Sequence, residues 1–96
     1  MALIKPIKQK NGVILNYHRI YDIKNVVNDK TYINIYSYLN EEERNKEKEK
    51  SEAEKYVMDI YINISTESTE YNDALSIEQA YDYLKTLKNF EGSEDI

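Results

Sequence analysis

Few side chains in this sequence can do acid–base or covalent chemistry. The one histidine, His18, sits in the run Asn16-Tyr17-His18-Arg19-Ile20. A general base needs a partner to orient its ring, and a metal site needs two or three further ligands. There is no second histidine, and the nearest carboxylates in sequence, Asp22 and Asp29, fall on no ligand spacing. His18 is therefore expected to be structural or to lie at an interface. Cysteine is absent, which excludes a disulfide framework, a thiolate zinc site and a cysteine nucleophile. The 18 carboxylates could serve a two-carboxylate mechanism only from a walled cleft at fixed separation, and runs such as Glu41-Glu42-Glu43 read as solvated surface. Gly12 and Gly92 are the only glycines, whereas nucleotide-binding fingerprints place several within one turn. No catalytic residue, metal or cofactor is expected.

Aromatic contact is better represented. Ten tyrosines stand against one phenylalanine and no tryptophan. Tyrosine combines a large rigid surface with a polar tip and is enriched where proteins meet. Tyr17, Arg19 and Tyr21 share a face of one strand-like segment, Tyr32, Tyr36 and Tyr38 share a face of a second, and Tyr61 lies in a third. These seven residues form the candidate protein–protein interface. Such a face could also stack bases, but only Arg19 and Lys30 lie near it. The electrostatic term that dominates nucleic-acid binding would be weak, so nucleic acid is not the expected partner.

The elements that must hold these residues can be read from pattern. Residues 2–8 are apolar but contain Pro6, which cannot donate to a sheet ladder and so indicates an edge strand or arm. Asn11-Gly12 is a hairpin signal, since both central positions of a type I′ turn need positive φ. Residues 13–23, rich in β-branched and aromatic types, form a long strand with Val13, Leu15, Tyr17, Arg19 and Tyr21 on one face and Ile14, Asn16, His18, Ile20 and Asp22 on the other. A turn at Asn28-Asp29-Lys30 leads to residues 31–39, where Ile33, Ile35 and Leu39 oppose the tyrosines. Residues 56–65 repeat the alternation, with Met58, Ile60, Ile62 and Ile64 expected beside those isoleucines in the core.

Residues 40–55 hold one apolar residue, Ala53. Asn40 with Glu43 has capping-box character and three acids favour a helix start, so this stretch reads as a charged projection, helical at first. Ser76 and Gln79 form a second capping box ahead of Ile77, Ala80, Tyr81, Leu84 and Leu87, one stripe of an amphipathic helix over 76–88. Residues 91–96 read as a tail. The expected fold is α+β: a single domain with an antiparallel sheet of three or four strands and the C-terminal helix across its aliphatic face.

At 96 residues the core is small, and a partner that adds to it is expected. The net charge of -5 hides an asymmetry: residues 1–40 hold six bases against two acids, and residues 67–96 hold eight acids against two bases. The two ends should attract, within one chain or between copies. No apolar run approaches the roughly 20 residues needed to cross a bilayer, and the start has no secretory pattern. A cytoplasmic origin and no membrane partner are expected.

The segment Leu3-Ile4-Lys5-Pro6-Ile7, Asn11-Gly12-Val13 and Asn16-Tyr17-His18-Arg19-Ile20 resembles the start of small structural proteins of phages and prophages from low-GC Gram-positive bacteria. Their acidic, Tyr-rich helical ending resembles Ile77 to Leu87. The resemblance covers roughly the first 25 residues and the last 20. It implies a virion component of the tail or its tip, made in the host cytoplasm and working as a homo-oligomer with other virion proteins. A phage-encoded inhibitor that binds a host defence protein, or sequesters its small-molecule signal, is the alternative the residues leave open.

Overall fold

Residues 30–38 alternate so regularly that their two faces separate by chemistry. Thr31, Ile33, Ile35 and Ser37 are buried on one side, and Tyr32, Asn34, Tyr36 and Tyr38 take the other, as a period of two requires. In the computed structural model, which describes residues 1–10, 12–48 and 62–96, this segment is the second strand from one edge of the sheet. Among the described residues the chain is an α+β fold with a five-stranded antiparallel sheet and two helices. Its elements are β1 (Leu3–Lys8), β2 (Ile14–Asn25), β3 (Lys30–Tyr38), α1 (Glu41–Lys48), β4 (Ile62–Glu70), α2 (Ile77–Lys85) and β5 (Glu94–Asp95). The strands lie in the order β4-β3-β2-β1-β5. Asn11 of the expected hairpin turn, residues 49–55 of the expected projection and residues 56–61 of the expected fourth strand fall outside the described residues.

The count of three or four strands is corrected to five, because both chain ends join the sheet. Residues 2–8 are not a free arm. β1 pairs with β2 along its length and with β5 through Leu3↔Asp95 and Ile4↔Glu94. Residues 91–96 are not a loose tail either. Gly92, at φ 82°, sits at the position of a turn that demands positive φ, with the Ser93 N–H closing onto the Phe90 carbonyl at 3.0 Å. The turn sends the chain back to β1, where Ala2 and Ile96 exchange both backbone hydrogen bonds at 3.2 and 3.1 Å. The basic and acidic ends thus meet within one chain.

Two bulges reset strict alternation. In β1 the pairing shifts between Ile4↔Tyr17 and Ile7↔Leu15, so Lys5 and Pro6 together oppose Asn16. Proline is tolerated there because a bulge relieves it of a ladder donor. In β2 the shift falls between Ile20↔Ile35 and Asp22↔Asn34. An extra residue at Tyr21 turns Asp22 to the tyrosine face and Ile23, opposite Ile33, to the aliphatic face. This corrects the placement of Asp22 beside Ile20, since one inserted residue reverses every later side chain.

The second correction concerns β4. It pairs with β3 without a shift, from Lys30↔Glu70 to Tyr38↔Ile62. Directly opposed residues share a face, so Ile64 lies on the tyrosine side, and Asn63, Ser65 and Glu67 lie on the side of Ile33 and Ile35. The β2–β3 turn is centred one residue earlier than expected, at Val27 and Asn28, with Asn28 at φ 62°. Asparagine is among the few side chains that accept that region.

α2 covers the aliphatic face. Ser76 and Gln79 form both halves of the capping box, at 3.1 and 3.0 Å. Ala80, Tyr81 and Leu84 pack with Leu3, Ile20, Ile33, Ile35 and Phe90 as the main core. Ile77 belongs to the same periodic stripe but is 53% exposed. The two leucine and isoleucine positions should therefore separate in a urea unfolding experiment. Leu84→Ala is expected to cost about 2–5 kcal/mol, whereas Ile77→Ala should fall within about 0.5 kcal/mol of the parent.

Candidate functional site

The pairing register lays the outer face out in rows. Ile4, Tyr17, Tyr38 and Ile62 form the first, Arg19, Tyr36 and Ile64 the second, and Asp22, Asn34 and Thr66 the third. In the first row Tyr17 and Tyr38 are buried and pack with Ala2 as a second core cluster, joined by Ile4 and Tyr36. Their rings meet edge to face, 5.9 Å between centroids, an arrangement that pairs a positive ring edge with a negative face. The third row is polar. Asn34 donates to Asp22 and accepts from the Thr66 hydroxyl at 2.8 Å.

Between them lies a row of mixed character. Tyr21, brought alongside by the β2 bulge, stacks on Tyr36 with parallel rings 4.3 Å apart. The Arg19 guanidinium lies 5.4 Å from the Tyr36 ring, 5.7 Å from Tyr21 and 5.9 Å from Tyr38, within the range of cation–π attraction. Its Nε donates to the Tyr38 hydroxyl at 3.0 Å. α1 adds a second guanidinium, with Arg44 5.9 Å from the Tyr38 ring. That helix starts at Asn40, whose side-chain oxygen accepts the Glu43 N–H at 3.0 Å. Tyr21 is 47% exposed and Ile64 is 63% exposed. The result is a rigid aromatic and guanidinium surface with an aliphatic neighbour, open to solvent.

Of the seven candidate interface residues, Arg19, Tyr21 and Tyr36 come together here. Tyr17 and Tyr38 share the face but are buried beneath it, at 8% and 0% exposure, so they support the surface rather than present it. Tyr32 lies apart, toward the polar end, and its hydroxyl donates to Asp29 at 2.8 Å. This bond pushes the Tyr32 hydroxyl above its ordinary pKa. Tyr61 lies outside the described residues. Ile64 and Arg44 belong to the surface without having been expected there.

No family model, curated protein or solved structure matches this chain. Its function therefore rests on its own geometry.

On the opposite face, His18 is 1% exposed and committed to the fold. Its Nε2 lies 2.7 Å from the Lys5 carbonyl and its Nδ1 2.7 Å from the Ser37 hydroxyl. A carbonyl can only accept, so Nε2 carries the proton and Nδ1 accepts from Ser37. Phe90 meets the ring edge-on at 5.5 Å. The ring thereby ties down the β1 bulge beside Pro6. Tyr81 does similar work further along. Continuing the β1–β2 register places Met1 opposite Ile20, and the Tyr81 hydroxyl stands between them. It accepts the Ile20 N–H and donates to the Met1 carbonyl, both at 2.9 Å. Burial raises the Tyr81 pKa, with the Ile20 amide partly offsetting it.

Two predictions follow from these inner side chains. Burial, above all, holds the His18 pKa below its ordinary value of 6.5. The unfolded chain then takes up the proton first as pH falls, so the stability His18 contributes is complete above pH 6.5 and is lost below it, toward the lowered folded value. Urea midpoints of the wild type should fall more steeply between about pH 7.5 and 5.5 than those of His18→Gln, which lacks this titration. Parallel profiles would contradict the assignment. Tyr81→Phe strands a backbone donor and should cost about 1–3 kcal/mol in urea titration.

Proposed function

We propose that this protein is a non-enzymatic assembly module that works through protein–protein contacts on the Arg19, Tyr21, Tyr36 and Ile64 surface. The observation that carries the reading is the stacked Tyr21–Tyr36 pair under Arg19, with Tyr21 half exposed and the pair backed by the buried Tyr17 and Tyr38. Arginine and tyrosine are the residue types that dominate binding energy when a partner desolvates them. Aromatic stacking fixes their geometry beforehand, which lowers the ordering cost of association. The resemblance of the first 25 and last 20 residues to phage and prophage structural proteins supports the reading of the module as a virion component, at the tail or its tip, in contact with its own copies and with other virion proteins.

Co-purification with the products of neighbouring genes, and light scattering of the protein alone, test this reading. Tyr21→Ser and Ile64→Ser leave the core untouched and should keep the parent's unfolding midpoint. Each should weaken association by roughly 2 kcal/mol, about 30-fold in Kd. Association that survives both substitutions unchanged would remove the surface from the function.

A further inference from the structure

The inner face of the sheet is covered unevenly. α2 packs on β1, β2 and β3, and meets β4 at Ser68, where the Tyr83 hydroxyl donates to the carbonyl at 2.9 Å. Toward the β1–β2 hairpin the same face opens into a cleft of about 230 Å³. Its floor is Ser37 with the inward side chains of β4, Asn63, Ser65 and Glu67. Residues 7–10 close the hairpin end, and Asn89 and Phe90 after α2 form a wall. The inner face of a half-covered antiparallel sheet is ordinarily aliphatic, and β3 supplies Ile33 and Ile35 there. β4 instead presents an amide, a hydroxyl and a carboxylate, all partly buried. Among the described residues no side-chain hydrogen bond or ion pair engages these three groups, nor Lys8 and Lys10. Convergent polar groups in a concavity, without internal partners, are what a small-molecule site offers.

We infer that this cleft binds a small phosphorylated sugar or polyol, its phosphate at the hairpin end and its hydroxyls along β4. The charges of the cleft are separated along its length. Lys8 pairs with Ile14, beyond the row of His18, Ser37 and Asn63, whereas Glu67 lies opposite Ile33, two inward positions the other way. Two ammonium groups at one end match a phosphate dianion better than a single carboxylate, and lysine binds phosphate as a point charge. At the other end the fixed groups are acceptors. The Ser37 hydroxyl gives its proton to His18 Nδ1 at 2.7 Å, so toward the cleft it accepts only, as the Glu67 carboxylate does. Both require donors on the ligand, and hydroxyls supply them. Asn63 and Ser65 between them can donate or accept. The volume of about 230 Å³ corresponds to roughly eight waters at ~30 Å³ each, room for a triose or pentose phosphate. The cleft lies on the face opposite the aromatic surface, and the inference does not rest on that surface.

Titration calorimetry of the full chain with ribose 5-phosphate tests this, with ribose, inorganic phosphate and 4-aminobutyrate as comparisons. Ribose 5-phosphate is expected to bind at a single site, about 10-fold or more tighter than ribose or inorganic phosphate, because it alone reaches both ends. Lys8→Ala combined with Lys10→Ala should weaken ribose 5-phosphate and inorganic phosphate alike. Glu67→Gln should weaken ribose 5-phosphate by about 10-fold, the loss of one charge-assisted hydrogen bond, and leave inorganic phosphate unchanged. These side chains have no internal partners, so the variants should keep the parent's urea midpoint, which shows that any lost binding is not lost folding. Tyr21→Ser should bind ribose 5-phosphate as the parent does, which separates this site from the aromatic surface. No binding at millimolar ribose 5-phosphate would overturn the inference. Equal affinity for inorganic phosphate would reduce the cleft to an anion site and overturn it too. Tighter binding of 4-aminobutyrate would overturn the ligand class, and binding indifferent to the Lys8, Lys10 and Glu67 substitutions would put the ligand outside the cleft.

Discussion

One nine-residue helix has to cover a five-stranded sheet, and most of the molecule follows from that shortage. A helix about 10 Å across spans two or three strands at about 4.8 Å spacing. α2 therefore packs on Leu3, Ile20, Ile33 and Ile35 of β1, β2 and β3. Toward β4 it extends the Tyr83 hydroxyl to the Ser68 carbonyl, and there the inner positions are Asn63, Ser65 and Glu67 rather than aliphatic. The other face makes up part of the deficit. Ala2, Tyr17 and Tyr38 form a second cluster, with Arg44 of α1 lying over Tyr38. A chain of this size gains stability by burying both sides of its central strand.

The same shortage explains the work done by two side chains of the inner layer. β1 carries a proline and a bulge, and Met1 and Ala2 ahead of it run past the end of its pairing with β2, yet Ala2 and Leu3 are buried. Buried backbone groups must find partners. The His18 ring supplies one at the Lys5 carbonyl, and the Tyr81 hydroxyl supplies two at Ile20 and Met1. A lone histidine between Tyr17 and Arg19 reads from sequence as structural or as lying at an interface, and its burial and two hydrogen bonds favour the first. What sequence does not reveal is the backbone irregularity it serves. Alternation assumes a regular strand, and a bulge costs only one residue of pattern.

Legibility follows the same division. β3 and the two helix starts were readable because their signals are local: strict period two in Ile33 and Ile35, a side chain at Asn40, a reciprocal pair at Ser76 and Gln79. Tyr21, Tyr36 and Arg19 were readable as one face because the bulge comes after Arg19. Ile64 was not. Its own strand alternates correctly, but which face its isoleucines join depends on the register with β3, a non-local choice. Matching aliphatic with aliphatic put them beside Ile33. The register instead sets Ile64 opposite Tyr36, and among the described residues no helix covers the inner side of β4. The burial of β1 was hidden for a similar reason, since a two-residue strand at the far end of the chain has no periodicity to detect.

The abundance of tyrosine now divides into two uses. Tyr81 and Tyr83 are bond-makers, carrying hydroxyls to backbone groups that phenylalanine could not satisfy. Tyr17 and Tyr38 fill the second cluster, with the Tyr38 hydroxyl anchoring Arg19. Tyr21 and Tyr36 form the aromatic surface, with Tyr71 exposed elsewhere, so among the described residues the skew toward tyrosine is in good part a property of the fold.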